Sequence, residues 1–363
     1  MKNNRILFIA PLPPPIHGSS MVSQYIKDSK LITDAFKCDF INLSTSRRME
    51  EIGKRNIKKI LRFITSYFIL LLKLLTHRYD LCYLAITCHG IGFLKDAPFV
   101  LLCKLFQSKV VIHQHNKGMS NCVNRWPYRY LLPLVYHKTK VILLSWFLYD
   151  DISKVVKREQ VMICPNGIPE IENPKSNINA MPNLLFLSNL IESKGIYVLL
   201  DACEILKEKG YRFICHVVGG ETKSINRCIF ESEIRKRNLE ELVVYHGAKY
   251  GSEKIAYLNK ADIFVQPTYE DCFPLTIVEA MAYGKPVVST TEGAVPDLVK
   301  NGVNGYVCER KNPKSLAAAL EKLLENETLR RNMGKEGYER YRNLYTLNVF
   351  ENNMCKILRS LIN

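Results

Sequence analysis

The sequence predicts an α/β protein of two doubly wound domains, each a parallel sheet with helices on both faces. Three observations predict it. Short apolar runs alternate with longer amphipathic stretches through most of the chain, as buried parallel strands separated by helices do. The alternation is broken at residues 165–180 (PNGIPEIENPKSNINA), where prolines and asparagines interrupt both periods, and then starts afresh. The length, 363 residues, suits two domains with a core each.

Taken in order, the strands of the first half fall at 5–10, 38–43, 81–85, 110–113 and 141–145. Those of the second half fall at 183–188, 212–218, 243–246, 263–266 and 287–290. Helical spacing covers 195–209, 225–237 and 254–260, and beyond Asn312 the chain is helical before a final segment to Asn363. The first apolar run, Ile6 to Ala10, is too short for a signal-peptide core and runs into prolines, so it reads as a buried strand. No stretch reaches the roughly 18 apolar residues of a spanning helix. The nearest, 63–75 (FITSYFILLLKLL), is 13 residues long and carries Lys73. It reads as a core helix or as one lying on a bilayer surface.

The composition, 47% hydrophobic and 24% charged, excludes a disordered chain and a polytopic membrane protein. The formal charge of +16 is unevenly placed. Residues 1–180 hold 26 Lys and Arg against 12 Asp and Glu, whereas residues 181–363 hold 25 against 23. A basic half points to a polyanionic partner, nucleic acid or an anionic membrane, or is a solvated surface without one. The 12 cysteines are scattered, with no Cys-x-x-Cys. Cys82, Cys103, Cys215 and Cys308 lie in apolar runs, as small buried hydrophobes do, and free thiols in this number fit a reducing cytoplasm.

The most informative stretch is 269–290, YEDCFPLTIVEAMAYGKPVVST. It leaves one apolar run, opens a helix near Pro274 and enters another run. The backbone N–H groups of Cys272, Phe273, Pro274's neighbour Leu275 and the helix dipole then form a ready phosphate site. Glu279 follows within the first turns of that helix, where a carboxylate suits paired ribose hydroxyls or simply caps a buried connection.

This stretch resembles the signature of the family-4 retaining glycosyltransferases of the GT-B class, E-G-F-(P/G)-L-x-x-x-E-A-M-A-x-G-x-P-V-V. The resemblance implies two Rossmann-like domains facing across a deep cleft. It implies that Asp271 contacts the donor sugar, that Cys272, Phe273, Pro274 and Leu275 hold sugar and phosphate, and that Glu279 binds the ribose. Asp271 is one methylene shorter than the usual glutamate, and Cys272 replaces the usual glycine. Residues 186–202 (FLSNLIESKGIYVLLDA) are similar to the family's G-R-L-x-x-x-K-G-x-x-x-L-L-x-A. Lys194 matches the lysine that neutralises the diphosphate, while Asn189 stands where an arginine is usual and lacks its charge and fork.

Weaker matches keep the family's order. Pro165-Asn166-Gly167-Ile168 resembles the interdomain P-N-G-(I/V), and Lys249 occupies the nucleobase-contacting region. Residues 13–20 (PPPIHGSS) resemble the P-P-x-x-G-G loop near the donor phosphate and acceptor, with Gly18 matching one glycine and Ser19 replacing the other. His115 aligns with a histidine that touches the transferred sugar, whereas His113 ends a strand and faces the core.

The resemblance divides the chain into an acceptor-binding domain, 1–165, with a C-terminal helix at about 345–363 packing back on it, and a donor-binding domain, 166–344. It implies retaining transfer of a hexosyl or N-acetylhexosaminyl unit from a UDP- or GDP-linked sugar. The acceptor would be a saccharide or lipid-linked saccharide in O-antigen, capsule or exopolysaccharide synthesis. Lys194 with the helix N-terminus supplies the positive charge, Asp271 and His115 orient the sugar, and no metal or other cofactor is expected. The absence of Asp-x-Asp argues against the metal-chelating GT-A class. Residues 54–78 combine seven Lys and Arg with an apolar centre, which fits attachment to the inner face of the cytoplasmic membrane or plain core packing. Three other classes share some of these features. A nicotinamide dehydrogenase needs a Gly-x-Gly-x-x-Gly after the first strand, where the chain reads PLPPPIHGSS. A nucleic-acid-binding protein would carry a recognition motif beside its charge. A GT-B sugar-nucleotide epimerase shares the architecture and takes no acceptor.

Overall fold

The computed structural model describes residues 4–15, 18–44, 57–171 and 181–362. Residues 16 and 17 of the proline-rich loop, 45–56 before the long basic helix, and 172–180 of the interdomain stretch lie outside the described residues. The chain divides into two units, one of Met1–Gly167 with Leu347–Asn363 and one of Ile168–Thr346.

The first unit runs β1 (Arg5–Ala10), α1 (Gly18–Asp28), α2 (Lys30–Ala35), β2 (Lys37–Asn42), α3 (Ile57–Thr76) and β3 (Leu81–Leu84). It continues with α4 (Gly90–Leu105), β4 (Val110–His113), α5 (Tyr128–Tyr136), β5 (Lys140–Leu143), α6 (Tyr149–Ile152) and β6 (Val161–Ile163). The six strands are all parallel, in the order β2-β1-β3-β4-β5-β6. β1, β3 and β4 lie in the interior and are buried almost throughout, which is why they read as unbroken apolar runs.

The second unit runs β7 (Asn183–Leu187), α7 (Ile196–Glu208), β8 (Ile214–Val218), α8 (Arg227–Lys236), β9 (Val243–Tyr245), α9 (Gly251–Lys260) and β10 (Ile263–Gln266). Then come α10 (Leu275–Ala282), β11 (Val287–Thr290), α11 (Val295–Leu298), β12 (Gly305–Cys308), α12 (Pro313–Glu325) and α13 (Glu327–Leu344). Its parallel sheet has the order β12-β11-β10-β7-β8-β9. α14 (Leu347–Ile362) follows and belongs to the first unit. There Phe350, Met354 and Leu358 join the core beneath β1 and β3 with Val22, Ile26 and Ile32 of α1 and α2.

Two strands escaped the sequence reading. β6 is three residues on a sheet edge, and β12 begins on a glycine. β6 (VMI) is apolar but only three residues long, and β12 (GYVC) is buried only at its two ends, so neither makes a run long enough to read as a strand. Gly305 has φ +157, and a Cβ there would lie 1.9 Å from the Val287 carbonyl oxygen, so the strand needs its glycine to approach β11.

The strand orders decide where ligands can sit. In doubly wound sheets the carboxyl ends of the strands open a crevice where the winding reverses. That point lies between β7 and β10 in the second unit, and between β1 and β3 in the first.

Candidate functional site

In the second unit the loops after β7 and β10 meet at the switch point. Gly195 takes φ +85, and a Cβ on it would lie 2.1 Å from the Pro267 carbonyl oxygen, so one loop is pressed flat on the other. Across this contact the Tyr269 N–H donates to the Ser193 carbonyl at 2.9 Å and the Thr268 hydroxyl donates to it at 3.1 Å. Lys194 is thereby carried to Asp271. Its ammonium lies 2.6 Å from Asp271 Oδ2 and donates to the Glu270 carbonyl at 3.1 Å. An ammonium has three protons, and these two partners leave one for a ligand.

The Asp271 loop is also fixed from behind. Its N–H donates to Glu292 Oε1 at 3.2 Å; Glu292 is fully buried, and its other oxygen receives Arg310 Nη1 at 2.9 Å. Gly293, at φ +51, admits the Asp271 carbonyl where a Cβ would come within 2.3 Å of it. The Ala294 N–H donates to the Cys272 carbonyl at 2.9 Å. Sequence reasoning missed Glu292 and Arg310. The available signal was an acidic residue two places past the end of a parallel strand, at the sheet edge where ligands gather.

α10 then starts at Leu275 with Pro274 as its N-cap and no side-chain cap bond. Its positive end lies at the carboxyl end of β10, anchored where the Thr276 hydroxyl donates to Gln266 Oε1 at 2.6 Å. Phe273 is buried and its ring meets that of Tyr345 at 6.1 Å, so it packs the loop. Glu279 projects from the second turn to Lys254 of α9, 2.8 Å from Oε1, while Oε2 is buried without a hydrogen-bond partner. Lys254 gave no sequence signal, because the pair joins two helices 25 residues apart.

The other named residues of this unit lie around that centre. Asn189 Oδ1 accepts the Gly220 N–H at 2.9 Å, which ties the loop after β7 to the loop after β8. Lys249 pairs with Glu253 at 2.7 Å, one turn along the start of α9. Behind Lys249 lies an unforeseen histidine pair, with His216 Nδ1 2.9 Å from His246 Nε2 and His216 Nε2 3.0 Å from Asn183 Oδ1. Burial, with Lys260 and His246 nearby, lowers the pKa of His216 to about 4. The pair is therefore neutral at physiological pH and supports the loop by hydrogen bonding.

In the first unit the named residues lie at or past the carboxyl ends of β1 and β4. Gly18 opens α1, and the Ser19 carbonyl accepts the Ser23 hydroxyl at 2.9 Å. His113 ends β4 fully buried, with Nδ1 2.6 Å from the Tyr83 hydroxyl, and burial beside His115 holds its pKa well below the usual histidine range. His115 follows with its ring centre 4.0 Å from that of His113. The loop beyond it is pinned by Asp151, whose carboxylate accepts the N–H groups of Gly118, Met119 and Ser120 at 2.9, 3.1 and 3.2 Å. Asn116 Oδ1 accepts the Cys88 N–H at 3.1 Å, joining this loop to the one after β3. A cavity of about 390 Å³ opens at the carboxyl ends of β1 and β2, lined by Pro14, Asn42 and Ser44 and by Arg62, Thr65 and Ser66 of α3.

The family model "Glycosyl transferases group 1" matches residues 169–340, nearly the whole second unit. The second unit thus carries the group 1 glycosyl transferase pattern. Among sequence relatives, the capsular polysaccharide biosynthesis glycosyltransferase CapM of Staphylococcus aureus is 30% identical over 165 residues, 45% of this chain and 42% of that one. An N,N'-diacetylbacillosaminyl-diphospho-undecaprenol alpha-1,3-N-acetylgalactosaminyltransferase of Campylobacter jejuni is 34% identical over 160 residues, 44% of this chain and 40% of that one. The chain thus spans less than half the length of these two relatives. The structure of HepE from Anabaena, solved in complex with UDP, superposes with a TM-score of 0.76 at 16% identity, covering 98% of this chain and 100% of that one. That likeness gives the chain the GT-B fold. Within it, the Lys194–Asp271 pair joins the two stretches that carry the family pattern.

Proposed function

We propose that this protein transfers a sugar, with retention of anomeric configuration, from a nucleoside-diphosphate sugar to a hydroxyl of a saccharide or lipid-linked saccharide in cell-surface polysaccharide synthesis. The observation that carries the reading is the Lys194–Asp271 contact at the switch point of the second unit, 2.6 Å long, beside the uncapped start of α10. It sets a cation for phosphate beside a carboxylate for sugar hydroxyls. The names of the Staphylococcus and Campylobacter relatives support the pathway class and the lipid-diphosphate acceptor, and UDP bound to HepE supports a UDP-linked donor, with GDP as the second choice.

In the reaction the bond from the anomeric carbon to the diphosphate oxygen breaks, and its electron pair leaves on that oxygen. The acceptor oxygen bonds the same carbon from the same face, and its proton passes to the leaving phosphate. Stabilising the departing charge is then the main catalytic task. Lys194 with its remaining ammonium proton, and the positive end of α10, meet that charge without a metal. Asp271 orients the sugar and Glu279 holds the ribose hydroxyls. Asn189 and Lys249 border the donor, with Cys272, Pro274 and Leu275 at the phosphate. The second unit is thus the donor-binding unit and the first the acceptor-binding unit, working at the inner face of the cytoplasmic membrane. Within the first, Gly18 and Ser19 serve the donor and His115 helps Asp271 to orient the transferred sugar.

The test is steady-state transfer by Lys194→Ala and Glu279→Ala. We expect kcat/KM to fall about 100- to 1,000-fold for the lysine, the usual loss of an oxyanion-stabilising contact. For the glutamate we expect a raised donor KM. Near-native rates in both variants, or an inverted linkage in the product by NMR, would falsify the reading.

A further inference from the structure

No helix among the described residues is long and apolar enough to cross a membrane, yet α3 turns a row of apolar side chains outward. Ile57, Ile60, Leu61, Ile64, Phe68 and Leu72 are each 50–72% exposed, and Leu75 extends the row to the helix end. Their spacing of mostly three and four residues keeps them on one stripe of a helix about 30 Å long. A different side of α3 does the packing. Leu70 and Leu74 are buried there, and Phe63 and Tyr67 meet Phe99 of α4 edge-on at 5.5 and 5.6 Å. The stripe is therefore left over after α3 has docked on its own unit.

It has company on the same face. The connections β2-α3-β3, β3-α4-β4 and β4-α5-β5 all advance one way across the sheet, so right-handed crossovers set the three helices side by side. α4 packs against both α3 and α5. At α5, Trp126 is 79%, Tyr130 59% and Leu134 54% exposed, four residues apart. The Arg129 guanidinium lies over the Tyr130 ring, 4.6 Å from its centre.

The charge around these side chains selects the occupant. From residue 57 to 149 the sequence holds 13 Lys and Arg and two acidic residues, Asp80 and Asp96, and Asp96 is buried. A second copy would set two positive faces against each other across a two-fold axis. Single-stranded nucleic acid stacks its bases on aromatic side chains, and the α3 stripe is mainly aliphatic. An apolar stripe bordered by Lys58 and Arg62, with tryptophan and tyrosine nearby, matches the boundary of an anionic bilayer, where acyl chains take the stripe and headgroups take the cations.

We propose that the α3–α5 face of the first unit docks on an anionic lipid bilayer, with α3 lying along the interface and Trp126 as a second point of contact. The inference rests on the sugar-transfer reading only for its purpose. Leu61 and Arg62 of α3 also line the cavity at β1 and β2, so docking brings that cavity to the headgroup region, where a lipid-linked acceptor is presented.

The full chain should co-sediment with vesicles of phosphatidylcholine and phosphatidylglycerol at low salt, bind several-fold less at high salt, and bind pure phosphatidylcholine weakly. Replacing both Ile64→Glu and Phe68→Glu should weaken vesicle binding at least 10-fold while circular dichroism is unchanged, since both side chains are exposed. The chain has two tryptophans, so Trp146→Phe leaves Trp126 as the only reporter, and brominated lipid should quench it. Absence of vesicle binding at low salt overturns the proposal. So does binding indifferent to the two α3 substitutions, a dimer that those substitutions dissociate in a chain that ignores vesicles, or tight binding of DNA in preference to vesicles. Transfer to a water-soluble acceptor, measured on the same α3 variant, separates the two readings. It should be retained, and its absence in the unaltered chain would count against sugar transfer without touching docking.

Discussion

Gly195 and Lys254 show what single residues do for the donor side. Gly195 lets the loop after β7 lie against Pro267, with a left-handed φ of +85 and no room for a Cβ. Gly195→Ala should lower stability by at least about 2 kcal/mol and, by parting Lys194 from Asp271, cut turnover further than stability alone explains; urea titration and kinetics on the same sample measure both. Lys254 holds one oxygen of Glu279 and leaves the other buried and unsatisfied. A buried acceptor without a partner costs about 1–3 kcal/mol, which a ribose hydroxyl would recover. Lys254→Met should therefore raise donor KM about 10-fold with kcat little changed, and Lys254→Arg should restore it. An unchanged KM would show that Glu279 is oriented by other means. Lys194, Asp271 and Glu279 were legible in the sequence because each sits in a spaced pattern. Lys254, Glu292 and Arg310 were not, since their roles come from contacts between segments that spacing does not connect.

Among the elements, α3 is held by charge as well as packing. Asp39 on β2 accepts from Arg5 Nε at 2.8 Å, from Lys73 of α3 at 2.9 Å and from the Tyr79 hydroxyl at 3.1 Å. Despite partial burial, which acts the other way, these hydrogen bonds lower its pKa from 3.8 to about 2. A carboxylate with a lowered folded pKa contributes stability above its unfolded pKa and loses it as protons bind. That contribution is full above about pH 4 and disappears as pH falls from 3.8 toward 2. Asp39→Asn should cost about 1–3 kcal/mol at pH 7 and flatten the acid limb of the stability curve in that window, read by denaturant titration at several pH values. The strands themselves were legible to within two residues wherever they lie inside a sheet, because burial on both faces forces an unbroken apolar run. Of the edge strands, β2 and β9 were legible too, whereas β6 is only three residues long and β12 starts on a glycine.

At the scale of the whole chain, the sequence's uneven charge and its 12 cysteines both follow the units. The basic excess falls in the residues of the first unit, while the second is nearly balanced, as expected where a few placed cations meet one diphosphate. The cysteines are all free thiols, and nine are buried, shared between both cores. Thiol reagents attack the thiolate and need access, so burial makes these nine silent reporters of unfolding. Cys228 is exposed and should react first. Cys38 is half-buried, and burial beside Asp39 raises its pKa to about 11, which keeps it protonated and slow. Cys272 is also half-buried but lies in the loop that carries Asp271. At pH 8 we expect rapid labelling of Cys228, slower labelling of Cys272, and release of the remaining thiols only in denaturant. Saturating UDP should slow Cys272 and leave Cys228 unaffected, as peptide mapping by mass spectrometry would resolve. Equal protection of both, or of neither, would remove Cys272 from the donor side while leaving the fold assignment intact.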